Sequence, residues 1–211
     1  MTMSPFLRKA ALVTHVTCSV AWSGAVAAFL VLSVVGATCG SRGEIQASYV
    51  AMNLIGLYAI VPLSLAALLT GLVQALGTPW GLVRHYWVLV KFGLTLAATA
   101  LLLLHQFTAV AAAAKRFGAV VPPGGTGRLG TQLIFDAAAA LVVLIAITAI
   151  SIFKPWGLTP YGRTLAPATP SGSNPPPPRG LRSRTVLVAV ILFVAAVVIW
   201  HLTGHGMHHG R

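Results

Sequence analysis

The sequence predicts an all-α polytopic membrane helix bundle of five transmembrane helices, arranged as two parallel helical-hairpin repeats plus a C-terminal helix. Hydrophobic residues make up 57% of the 211-residue chain and charged residues only 8%, whereas soluble domains carry about a quarter charged residues. The tetrapeptide Pro-Trp-Gly-Leu occurs at 79–82 and again at 155–158, each time just after a long apolar segment. The composition excludes a soluble fold, and the repeated motif divides the chain into two halves.

Five apolar segments are long enough to cross a membrane, since about 20 helical residues span the hydrocarbon. They lie near 10–36, 49–76, 87–114, 132–153 and 185–203. The first segment follows Arg8 and Lys9, which is the charge order of a signal peptide, but a cleavable apolar region has only about 7–15 residues. We expect an uncleaved anchor that forms the first transmembrane helix.

The Lys and Arg residues predict the orientation in the plasma (inner) membrane. Nine of them fall on the side of the amino terminus and five on the other side, so the positive-inside rule places the amino terminus in the cytoplasm and the carboxyl terminus outside. The net charge of +12 then reflects topology and contact with the anionic lipid bilayer. We expect no nucleic-acid partner.

The two tetrapeptides are 76 residues apart, and the same shift lays Arg8 on Arg84. This spacing predicts parallel repeats at about 8–83 and 84–159, related by an axis along the membrane normal, within a four-helix membrane core at 1–154. The alternative is that Pro, Trp and Gly are independently common where helices end at a membrane surface.

Two further regions follow the core. Residues 155–184 contain the run Pro175–Pro178 among other Pro, Ser and Gly residues, a composition typical of an extended or disordered cytoplasmic linker. Residues 185–211 contain the predicted fifth transmembrane helix and a histidine-rich outer tail.

The tail has the densest group of metal-binding side chains in the sequence. His201 and His205 are spaced i, i+4, so they share one face if the helix continues, and His208 follows on that face. Imidazoles together with a thioether suit copper, and imidazoles alone also suit zinc or nickel. The candidate metal ligands are His201, His205, His208, Met207, His209 and Asp136.

Both parts of this metal site have an alternative explanation. Gly204, Gly206 and Gly210 favour a flexible tail that binds metal only incidentally. For Asp136, the alternative is a salt bridge to one of three basic residues near the same membrane face, Lys115, Arg116 or Arg128.

A b-type haem held between two histidines is another hypothesis, with His15, His105, His85 and His201 as candidate ligands. At about 1.5 Å per residue, His105 lies roughly 14 Å from the outer end of the third segment, near the middle of the membrane, whereas the other three lie nearer the edges. Two axial ligands need matched depth, and no pair matches clearly. The alternative for His105 is a neutral imidazole that hydrogen-bonds to a neighbouring helix, for example at a threonine.

His15 followed by Trp22-Ser23-Gly24 resembles the His-x6-Trp-x-Gly pattern in the first helix of copper-resistance D-like membrane proteins. The whole chain, with its segments 78–82 and 84–87, resembles small uncharacterised multi-pass integral membrane proteins of high-GC bacteria. The first resemblance implies copper handling, with His15 as the matched position.

The sequence has no Gly-x-Ser-x-Gly motif, paired carboxylates or Gly-rich phosphate loop, so we do not expect an enzyme. We expect handling of copper or another transition metal, or an accessory role in the membrane. One alternative is a structural subunit that binds a membrane partner or a second copy through its small-residue faces. The other is a b-type haem electron-transfer protein.

Overall fold

The computed structural model describes residues 3–78, 81–119, 127–154 and 156–164. Within these residues the chain is all-α and has four long apolar helices and one short one, namely α1 (Pro5–Thr38), α2 (Arg42–Gly77), α3 (86–119), α4 (Gly127–Phe153) and α5 (Pro160–Thr164). Each of the long helices has the length and hydropathy needed to cross a membrane. The all-α prediction and the first four predicted spans are therefore confirmed.

Several predicted features lie outside the described residues. They are the predicted linker beyond residue 164, the fifth helix, and Pro79, Trp80 and Pro155 of the tetrapeptides. The tail with His201, His205, Met207, His208 and His209 also lies outside.

The helices extend beyond the segments predicted from hydropathy. Helix α1 begins at Pro5, where the side chain of Ser4 accepts a hydrogen bond from the Leu7 amide and satisfies one of the free donors of the first turn. Helix α3 continues to Ala119 rather than ending near 114, and α4 begins at Gly127 rather than near 132. Groups near the Ala119 and Gly127 ends therefore lie deeper inside the bundle than predicted.

Helices α2 and α3 each contain one turn of π-helix, at Gly56–Ile60 and at Gln106–Val110. The first turn lies just before Pro62, whose ring lacks an N–H and clashes with the carbonyl four residues earlier in a regular α-helix. The amide of Val61 bonds to the carbonyl of Gly56, and this wider turn makes room for the proline. The second π turn directly follows His105.

The four long helices follow one another around the bundle. Helix α1 packs along α2 and α4, and α3 packs along the other sides of α2 and α4. Each helix supplies at least one fully buried side chain to the shared core, including Trp22, Met52, Ala113 and Leu133. Such close packing holds helices together in lipid, where the hydrophobic effect between helices is absent.

One end of the bundle, which we call the amino-terminal end, contains the start of α1, the end of α2, the start of α3 and the end of α4. Here the Met3 amide donates to the Gly77 carbonyl at 3.2 Å, and the Tyr86 amide donates to the Gly157 carbonyl at 3.3 Å. The buried Trp156 packs in the same cluster as Trp87. Residues 156–164 are thus docked on the loop before α3, although the composition assigns them to a linker.

Thr159 is the main link in this docking. Its amide donates to the Arg84 carbonyl at 3.0 Å, and its hydroxyl donates to the Val83 carbonyl at 2.7 Å. His85 and Leu158 form an antiparallel bridge beside it. The segments that follow the two tetrapeptides are therefore bound to each other.

Candidate functional site

A cavity of about 130 Å³ lies inside the bundle, with walls from all four long helices. Most lining side chains are apolar, such as Val26, Leu101 and Ala140. The polar ones are Trp22, His105, Gln106 and Asp136. The volume is close to that of an engineered cavity of about 150 Å³ that binds one benzene molecule, so the space suits a small molecule or an ion with a few waters.

The imidazole of His105 and the carboxyl group of Asp136 lie against each other in the wall of this cavity. His105 Nε2 lies 3.4 Å from Asp136 Oδ2, and the two side chains are only 13% and 19% exposed. An ionisable side chain inside a membrane is costly by itself, and attraction between opposite charges is stronger in a low-dielectric interior than in water. The pair joins α3 to α4 and supplies an imidazole and a carboxylate to one small space.

Gln106 connects this pair to α2. Its Nε2 donates to the side-chain Oδ1 of Asn53 at 3.2 Å and to the Asn53 carbonyl at 3.3 Å. The amide of Gln106 also packs directly against Gly56, where a Cβ atom would collide with it. The two π turns therefore meet at Gly56 and Gln106. π-Helical turns are rare and often occur at functional sites.

Trp22 contributes a hydrogen-bond donor from α1. Its side chain is 3% exposed, and its indole Nε1 has no hydrogen-bond partner among the residues that the structure describes. Buried N–H groups are rarely left without an acceptor. A water molecule or ligand in the cavity that Trp22 lines is the expected acceptor.

The histidines outside the cavity have other surroundings. His15 Nδ1 lies 3.0 Å from the hydroxyl of Thr70 on α2. His85 lies in the loop before α3, with its ring 6.2 Å from that of Trp87. Neither lines the cavity.

The structure thus brings together two residues that the sequence analysis treated separately. The sequence predicts Asp136 either as a ligand beside His201 or as a partner of Lys115, Arg116 or Arg128. In the structure it lies against His105. Two threonines on the helix of His105, Thr95 and Thr108, donate their hydroxyls to carbonyls of that same helix.

The described residues test neither the metal site predicted at the tail nor the predicted haem. They contain no group of three or more His, Cys, Asp or Glu side chains suited to a metal ion, and the tail lies outside them. Among the described residues that line the cavity, His105 is the one histidine. A bis-histidine haem needs a second imidazole at that depth and stays a prediction.

Three residues of the site were not predicted as site residues from the sequence. Trp22 entered only through the resemblance, and neither Asn53 nor Gln106 was predicted to belong to a site. The available signal was the position of Gln106, an amide beside His105 within a long apolar segment. Buried amides in membranes need a specific partner.

The chain matches no protein-family model, no curated protein and no solved structure. The site and the sequence patterns are therefore the basis for assigning a function.

Proposed function

We propose that this protein is a multi-pass plasma-membrane protein that handles a transition-metal ion, copper-like in its preferences, at an intramembrane site centred on His105 and Asp136. The observation that supports it is the 3.4 Å pair in the wall of a cavity of about 130 Å³. Ionisable side chains inside membranes mark ion and substrate pathways.

The chemistry of the pair suits such an ion. Imidazole is a ligand for copper, zinc and nickel, and a carboxylate beside it either binds the ion or holds the imidazole in a fixed orientation. Water molecules complete the coordination, because the described residues offer no third acidic, thiol or imidazole ligand there. Cu²⁺ accepts such mixed nitrogen and oxygen ligands.

The proposal includes capture of the ion at the outer face. His201, His205 and His208 bind it there, helped by Met207 and His209, before it reaches His105. The resemblance to copper-resistance D-like proteins supports copper, and Trp22 of that pattern lines the same cavity as His105.

We also propose a finer architecture of five transmembrane helices. The first four form two helical hairpins that are parallel repeats, and the fifth follows them. The bond from Thr159 to Val83 supports the repeats, because these residues are separated by the same 76 positions as the two tetrapeptides.

Orientation is tested with the cysteines. Cys39 follows α1 in the connection to α2, and Cys18 lies within the apolar span. With the amino terminus in the cytoplasm, a membrane-impermeant maleimide labels Cys39 in intact cells and leaves Cys18 unlabelled. Labelling of Cys39 only after the cells are opened contradicts this orientation.

The central experiment measures metal bound to purified protein after loading with Cu²⁺ and removal of excess ion. We compare wild type with His105→Gln, Asp136→Asn and a chain truncated after Leu202. His85→Gln is the matched control, because His85 does not line the cavity. Loss of copper in His105→Gln and Asp136→Asn, but not in His85→Gln, supports the intramembrane site. Equal copper in wild type, both cavity variants and the truncated chain overturns the proposal.

A second candidate is a structural subunit that binds a membrane partner or a second copy of the chain. Gly24 on α1 and Gly93 on α3 favour it, because a Cβ atom at either position would meet no neighbour within 4 Å in the described part of the chain. Small residues open to lipid allow another helix to approach closely. Co-purification of a stoichiometric membrane subunit, lost in Gly24→Leu and Gly93→Leu, supports this candidate over metal handling.

A further inference from the structure

Lys91 lies inside a membrane-spanning helix of a chain that has almost no acidic side chains. The sequence contains two acids, Glu44 and Asp136. Asp136 faces His105. Glu44 is in the first turn of α2, at the end of the bundle remote from Lys91, which is in the second turn of α3. Neither acidic side chain of this protein is therefore placed to balance the charge of Lys91.

The location of Lys91 makes an unbalanced positive charge costly. Its side chain is half-buried, and at about 1.5 Å per residue it lies roughly 7 Å along α3 from Tyr86. A lysine ammonium is unfavourable both within hydrocarbon and near the positive end of a helix dipole. A bound anion relieves both penalties.

A second nitrogen group faces the same region from α1. His15 Nδ1 lies 3.0 Å from Thr70 Oγ1, and the Thr70 hydroxyl donates to the Ala66 carbonyl at 2.6 Å. Since the hydroxyl proton is used in that bond, Nδ1 donates to Thr70. Nε2 is the second polar atom of the ring. Gly71 fits against the ring, where a Cβ atom would lie 3.0 Å from His15 Cε1. The imidazole is thus held in one orientation by α2.

Lys91 and His15 are close enough for the ammonium to act electrostatically on the imidazole. They are also 76 residues apart, the spacing of the tetrapeptides. Other basic residues lie at the same end of the bundle, among them Arg8 and Lys154. Together they give this end a positive potential that attracts anions.

We propose that Lys91 and His15 bind an anionic phosphate group at the amino-terminal end of the bundle, between α1, α2 and α3. The lysine ammonium supplies charge and rotatable N–H donors, and the fixed imidazole of His15 supplies a second polar nitrogen, Nε2, beside it. Basic pockets between transmembrane helices bind lipid head groups in this way. A phospholipid head group and free inorganic phosphate share the required chemistry.

The test uses the full chain reconstituted in nanodiscs of phosphatidylcholine alone or of an equimolar mixture with phosphatidylglycerol. Retained lipid is measured by native mass spectrometry after release, and thermal unfolding is measured with and without inorganic phosphate, at matched ionic strength. The variants are Lys91→Met, Lys91→Arg and His15→Gln. Lys115→Met, at the other end of α3, is the control for a general loss of positive charge.

We expect wild type, Lys91→Arg and Lys115→Met to retain phosphatidylglycerol, and Lys91→Met to retain about fivefold less, the factor for one lysine near an anionic surface. His15→Gln gives a smaller decrease. If free phosphate is the ligand, it raises the unfolding temperature of wild type but not of Lys91→Met, and lipid retention does not differ. Wild type that neither retains phosphatidylglycerol nor responds to phosphate overturns the proposal, even if Lys91→Met does not fold.

Discussion

The imidazole of His105 and the carboxylate of Asp136 face each other across the contact between α3 and α4, with Nε2 and Oδ2 3.4 Å apart. Among the described residues that line the cavity, these are the two ionisable ones. Opposite charges on the two groups would stabilise each other in this low-dielectric setting. The pair therefore serves both the packing of the bundle and any chemistry in the cavity.

Removing one member of the pair is expected to cost more than removing both. Asp136→Leu leaves a buried imidazole beside an apolar side chain, and breaking a buried pair in this way costs about 3–5 kcal/mol in soluble proteins. In His105→Leu/Asp136→Leu both polar groups are removed, so neither one remains buried beside an apolar side chain. Denaturant unfolding in detergent should give a double-variant loss smaller than either of the two single losses. Additive losses would show that the two groups do not interact.

The contact between the two π turns gives a second prediction. A Cβ atom at Gly56 collides with the Gln106 amide, so Gly56→Ala should reduce the free energy of unfolding by about 1–3 kcal/mol, as overpacking does. Gly24→Ala is the matched control, because nothing in the described part of the chain lies within 4 Å of its Cβ position, and it should change stability by less than about 0.5 kcal/mol.

The cause of the loss is identified by a second substitution. Gln106→Ala removes the amide that Gly56 contacts, so Gly56→Ala/Gln106→Ala should regain part of the stability lost in Gly56→Ala. If the added Gln106→Ala only lowers stability further, the collision with the amide is not the cause.

The sequence was sufficient for the all-α class, for the first four spans and for marking His105 and Asp136. It did not reveal that the last two form a pair, because hydropathy sets helix ends only approximately. Placing the start of the fourth span near 132 left Asp136 close to the membrane edge. With α4 beginning at Gly127, Asp136 lies roughly 7 Å deeper, within reach of His105.

The π turns and the contacts of Gln106 were also beyond the sequence. The turn before Pro62 has a local cause, but the one after His105 has no proline beside it, and it faces the first turn across the bundle. Such a feature depends on the packing of two helices rather than on the residues of one. For the same reason the partner of Asn53 became known only from the structure.

The docking of residues 156–164 leads to a third prediction. Thr159→Ala removes the hydroxyl that bonds to Val83 at 2.7 Å and to Arg84 at 3.2 Å and that accepts from the Gly162 amide at 3.0 Å. We expect faster proteolysis and faster amide exchange within 156–164, with a loss of about 1 kcal/mol in local stability. Thr164→Ala is the control, because the Thr164 hydroxyl bonds only locally, to Tyr161. Equal protection in both variants would contradict the role of Thr159.

The last prediction concerns the reactivity of Cys39 just after α1. The Glu44 side chain accepts a hydrogen bond from the thiol and thereby raises the pKa of Cys39. The thiolate is the reactive form, so at a pH below the pKa the wild-type thiol is alkylated slowly. Glu44→Gln removes the negative charge, lowers the pKa of Cys39 towards its ordinary value and increases the thiolate fraction.

The expected gain near pH 7.5 is about threefold for each unit by which the pKa falls, because the thiolate fraction rises tenfold while its intrinsic nucleophilicity decreases. The measurement is the iodoacetamide rate in a Cys18→Ser background, where Cys39 is the one cysteine left of the two in the sequence. Glu44→Asp keeps the carboxylate and is the control. Above both pKa values the two thiols are fully ionised, so the order of rates should reverse, with Glu44→Gln slower by about threefold for each unit of pKa difference. A Glu44→Gln rate equal to that of wild type near pH 7.5 would mean that Glu44 does not control the thiol.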